Sequence, residues 1–128
     1  MVLNECSYCK INPRSHSFHE VSHLQNQLGQ RVFYSRPADA ELYQDTVSIL
    51  HHFECKLEGV SKWEWTFDCA GMGIEHYTQF GLVKELCLLL KRHGGLQQVN
   101  IINAGCFINF TVKFAKLIWP ELPTIHIR

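Results

Sequence analysis

Residues 62–73 read KWEWTFDCAGMG, and this stretch decides the fold. Trp63, Trp65 and Phe67 alternate with Glu64 and Thr66. A period of two marks a β-strand with one face buried. An acid, a thiol and two glycines follow at once. In open α/β sheets, ligands gather at the carboxyl ends of strands, so Asp68 and Cys69 invite a chemical reading. No G-x-G-x-x-G and no G-K-[ST] follows, so a phosphate cradle lacks its motif. Asp68 is instead expected to accept backbone N–H groups of the next turn.

Outward from this strand, the periodicity changes back and forth. RVFYS (31–35) is a short β-rich run stopped by Pro37. In DTVSILHHFECKLEG (45–59), Thr46, Ile49, Leu50, Phe53 and Leu57 recur at helical spacing, and Gly59 closes the run. TQFGLVKELCLLLKRHGG (78–95) is the clearest helix. Lys91, Arg92 and His93 suit the negative end of its dipole, and Gly94-Gly95 terminate it. QQVNII (97–102) is the next strand. CFINFTVKFAKLIW (106–119) is a helix with a polar stripe at Asn109, Lys113 and Lys116, stopped by Pro120. TIHIR (124–128) is a last short strand. The order β-α-β-α-β-α-β predicts an α/β domain with a small, largely parallel sheet over residues 31–128.

Residues 1–30 differ. They are polar, lack a long apolar period, and read as an N-terminal extension with its own staple. Cys6-x2-Cys9 is a zinc-knuckle spacing that lets two sulfurs reach one tetrahedral ion. His19-x3-His23 can add two imidazoles from one helical turn, and His16 with His19 is the other option. The competing account is reduced thiols with polar histidines nearby. With four protein ligands, zinc here is structural, because no position stays open for a substrate.

Two other groups have chemical potential. His51 and Cys55 lie four apart and share a helix face, as metal ligands or as half-exposed residues of an amphipathic helix. Cys106 falls at a strand-to-helix turn, where helix N–H groups lower a thiol pKa. With His126 or His93 and Asp68 it would make a hydrolase triad. Gly105-Cys106 lacks a second glycine two positions on, so the nucleophile-elbow pattern is incomplete. A small buried residue capping a helix is the simpler account, and the chain is read as non-enzymatic.

The bulk properties narrow the classes. The chain has 128 residues, 46% of them hydrophobic and 19% charged, with a formal net charge of +0. One packed domain is expected, without the long-range pull that nucleic acid binding uses. The apolar runs are too short and interrupted to span a bilayer. MVLNECSYCK has no basic start followed by an apolar run, so no secretory leader is expected. Six cysteines then read as reduced thiols or metal ligands in the cytoplasm, another reducing compartment or a viral particle.

Three stretches in order carry a resemblance: RVFYSRPADAE (31–41), WEWTFDCAGMG (63–73) and LQQVNIINAGCFINFTVKFAKLIWPELPTIHIR (96–128). Together they resemble the CRAL-TRIO (Sec14-like) domain. The resemblance implies a sheet floor with a hydrophobic-ligand or lipid pocket beneath a mobile gate helix, and no enzymatic activity. The family pattern runs on past TIHIR into that gate helix, and it lacks the Cys/His extension. The fold is therefore carried over, and no lipid-contacting residue is. The leading expectation is a scaffold module that packs on other protein chains as a small subunit of a cellular or viral assembly. Binding or transfer of a lipid or small hydrophobic ligand is the alternative.

Overall fold

A computed structural model describes residues 6–25 and 30–128, with only the backbone described for 22–25. A short helix, α1 (Ser7–Ile11), precedes strands β1 (His19–Gln25) and β2 (Arg31–Ser35). Then follow α2 (Thr46–Leu57), β3 (Trp63–Asp68), α3 (Ile74–Tyr77), α4 (Phe80–His93), β4 (Leu96–Ile102), α5 (Ile108–Ile118) and β5 (Thr124–Ile127). One five-stranded sheet runs β1-β2-β3-β4-β5, in sequence order. β2 to β5 are parallel, and β1 pairs antiparallel with β2. Within the N-terminal extension, β1 thus forms an edge strand of the same sheet.

Local chemistry explains the boundaries. Asp45 caps α2 by accepting from the Ser48 N–H at 3.2 Å. Beyond α4 the backbone turns through Gly94 and Gly95, both at positive φ. A Cβ on Gly95 would stand 1.6 Å from the Ser61 carbonyl oxygen, so only glycine fits there.

Each crossover between parallel strands steps one place along the sheet in the same direction. Crossovers of one hand then place their helices on one face. Accordingly α4 packs against both α2 and α5. Trp65, Phe67, Val99, Ile101 and Ile125 point into this layer and meet the α4 and α5 side chains. Alternation sends Glu64, Thr66, Asp68 and Asn100 to the opposite face. The core centres on Trp63, 0% exposed, and on Phe18, 1% exposed. The Phe18 ring stacks on Phe53 at 3.9 Å and on Phe33 at 5.1 Å. Among the described residues, no helix is long and apolar enough to cross a membrane.

Candidate metal centre

Four side chains converge where the N-terminal turn meets α2. Cys6 caps α1, and the Lys10 N–H bonds back to its carbonyl at 3.0 Å, closing the turn that carries Cys9. That i, i+3 spacing sets both sulfurs on one side. His16 arrives on the extended link before β1. This link is pinned beside the α2 entry by the bonds Glu41 N–H to Arg14 O and Leu42 N–H to Ser15 O, at 2.8 and 3.0 Å. His52 comes from the buried face of α2. One ligand atom from each of Cys6, Cys9, His16 and His52 lies within 4.8 Å of all the others.

The spacings suit a tetrahedral ion. The His16 Nδ1 lies 3.6 Å from the Cys6 Sγ and 3.5 Å from the Cys9 Sγ. The His52 Nδ1 is 3.5 Å from the Cys9 Sγ. With zinc bonds of the usual length and a tetrahedral angle, the sulfur–nitrogen edge should be roughly 3.6 Å. Three of the six donor–donor separations therefore already match those such an ion requires, and the other three lie within 4.8 Å.

The outer nitrogens fix which lone pairs face inward. The His52 Nε2 lies 2.7 Å from the Phe18 carbonyl, which only accepts, so Nε2 carries the proton. The His16 Nε2 lies 3.0 Å from the Ser48 Oγ. Ser48 donates its own hydrogen to the Asp45 carbonyl, which leaves Oγ as the acceptor. Both imidazoles are thereby Nε2–H tautomers, and both Nδ1 lone pairs point at the sulfurs. Such outer partners orient histidine ligands in metal sites generally.

Burial keeps these rings neutral. It pushes the His52 pKa down to about 4, against the opposing pull of the Phe18 carbonyl. Burial likewise lowers His16. Burial, first among several causes, pushes the Cys9 thiol pKa up. His52 is 3% exposed, so its shift counts in stability. Its native pKa lies below the unfolded value near 6.5. Below pH 6.5 the unfolded chain therefore binds a proton that the native chain refuses. This contribution is intact above pH 6.5 and is lost as pH falls from there towards 4. Its size is on the order of 3 kcal/mol. In urea titrations of chelator-treated protein, the parent should lose that much relative to His52→Gln between pH 7 and 4. Parallel pH profiles would contradict the assignment.

The other sequence candidates fall elsewhere. His19 lies in β1 with its ring against Tyr34, 5.7 Å between centroids, and is not in the cluster. His23 is also in β1, and its side chain is outside the described residues. His52 was not singled out from sequence. The available signal was Ser48 and His52, two polar residues four apart on the apolar side of α2.

Asp68 sits at the end of β3. It accepts from the Ala70 N–H at 2.9 Å, the Asn103 Nδ2 at 2.9 Å and the Tyr34 hydroxyl at 2.5 Å. Burial alone would raise its pKa, but the bonds from Asn103, Tyr34 and Ala70 hold the carboxyl below its ordinary range. Asp68 is thus committed to the strand-end turn. His93 bonds the Val60 carbonyl at 2.9 Å, and His126 lies on β5. Among the described residues, no hydrogen bond joins Cys106 to a histidine.

No protein-family model matches this chain, and no curated protein does. The candidate metal centre therefore rests on its geometry alone.

Three apolar cavities of about 60, 90 and 120 Å³ lie between the sheet and its helices, and all three touch Phe67. The largest is lined by residues such as Val83, Leu86, Val112 and Ala115.

Proposed function

We propose that this chain is a zinc-stapled α/β binding module, non-enzymatic, that works through contacts with other protein chains. The observation that carries the metal reading is the convergence of two sulfurs with two imidazole nitrogens whose tautomers are already set. Two thiolates with two imidazoles at tetrahedral spacing select zinc over the oxygen-preferring cations. Four protein ligands leave no position for a substrate, so the ion is structural. It fastens three separate pieces of chain: α1, the link before β1, and α2.

The scaffold role draws support from α5. Phe110 and Leu117 project outward, 65% and 78% exposed, on a helix whose inner face already packs on the sheet. Exposed apolar side chains grouped on one helix suit a protein contact. A Sec14-like fold remains part of this reading, supported by the parallel sheet and its interleaved helices.

A second reading is favoured by the apolar cavities. The largest of them, about 120 Å³, approaches the volume that holds one benzene-sized molecule and is far below a phospholipid. One native mass spectrum decides between them. Freshly purified chain should carry one zinc, lost in Cys9→Ala and His52→Ala and kept in His19→Ala. No bound metal would sink the metal reading, and a retained organic mass would favour the ligand reading.

A further inference from the structure

The closed centre raises the question of how an ion gets in. Cys6 is 1% exposed, and His52 is buried as well. Cys9 is the least buried of the two sulfurs. A hydrated cation has to shed its water before it can reach four inward-facing donors.

A second donor pair stands beside the centre. On α2, the His51 Nε2 lies 3.6 Å from the Cys55 Sγ, one helical turn away. That is again the sulfur–nitrogen edge of a tetrahedral zinc, roughly 3.6 Å. His51 is exposed and Cys55 is half-buried, so this pair meets solvent. The pair abuts the closed site along both elements. His51 adjoins His52 in the chain, and its Nε2 lies 3.5 Å from the Oγ of Ser7, the neighbour of Cys6. The Tyr8 ring stands edge-on between the two sites, 5.9 Å from the His16 ring and 6.0 Å from that of His51.

We infer that His51 and Cys55 form a landing site that captures zinc from solvent and passes it to Cys6, Cys9, His16 and His52. This rests on the metal reading above and adds its kinetics. Two protein donors hold an ion weakly and leave its other positions open. Cys55 releases its proton to solvent as its Sγ binds the ion. Cys9 and then Cys6 each give a proton to solvent as their sulfurs join the ion, while the His16 and His52 nitrogens displace its water and His51. Zinc tolerates the extra ligand transiently, since it expands to five-coordinate. Cys55 leaves and recovers a proton from solvent. The ion ends in the closed site, with protons released only from the thiols that retain it.

Cobalt(II) reports each stage, because tetrahedral thiolate coordination gives it visible absorption. Metal-free parent chain and a His51→Gln/Cys55→Ser variant are mixed with Co²⁺ in a stopped-flow instrument. Both substitutions are conservative, lie on the outward side of α2 and leave the four inner donors alone. A local capture site typically raises association rates 10-fold or more, so the variant should load about tenfold more slowly. The final spectrum and stoichiometry should equal those of the parent. Equal loading rates would overturn the landing role. A reduced final absorbance would also overturn it, by making the pair part of the equilibrium ligand set. A parent chain that never develops the tetrahedral band would remove the metal centre itself, a failure readily distinguished from the other two.

Discussion

Stripping the metal with a strong chelator should lower the melting temperature of the zinc-loaded chain by about 15 °C. An ion present at a thousand times its Kd stabilises the native state by about 4 kcal/mol. For a domain of this size, each kcal/mol moves Tm by roughly 3–5 °C. The ligands belong to three pieces of chain, and His16 and His52 are far apart in sequence, so little of the site survives unfolding. That is the condition under which binding free energy becomes folding free energy. The control is Cys9→Ala, which should melt low from the outset and ignore the chelator. Scanning calorimetry with and without chelator reads both. A parent whose Tm does not move on metal removal would falsify the staple.

The second large effect belongs to Phe18. Its ring is sandwiched between Phe53 and Phe33, with edge contacts to Trp63 and Trp65 at 5.8 and 5.9 Å. Phe18→Ala removes that stack and opens a cavity that surrounding rings cannot fill, which typically costs about 3–5 kcal/mol. The same residue supplies the carbonyl that orients His52. The loss should therefore remain when both proteins are titrated with urea in excess chelator, since most of it is packing. If chelation erases the difference between parent and variant, the ring matters only through the metal.

Much of this architecture was legible in the sequence, because its signals are local. The alternation of Trp63, Trp65 and Phe67 predicts β3, and the helical spacing from Thr46 to Leu57 predicts α2 almost to the residue. β1 was not legible. HEVSHLQ lies in a polar stretch without apolar alternation, so no period-two signal marks it even though its partner β2 follows closely in the chain. The metal centre divides the same way. Cys6 and Cys9 share one turn, so spacing alone couples them. His52 joins through tertiary packing, 36 residues beyond His16, and only its polar character on the buried side of α2 hints at it. His19 and His23 had the right spacing for a helix, but the segment is a strand, where residues four apart lie a long way from one another.

The sequential strand order has a consequence for synthesis. A sheet whose strands pair in chain order can grow in the direction of translation, each new strand meeting an edge that is already complete. All four proposed metal donors lie within the first 52 residues, ahead of β3, β4 and β5. The proposed donors can thus converge before β3, β4 and β5 join the sheet. What emerges afterwards is added to a corner already locked in place. The order of strands in the sheet then favours assembly from the N-terminal corner outward.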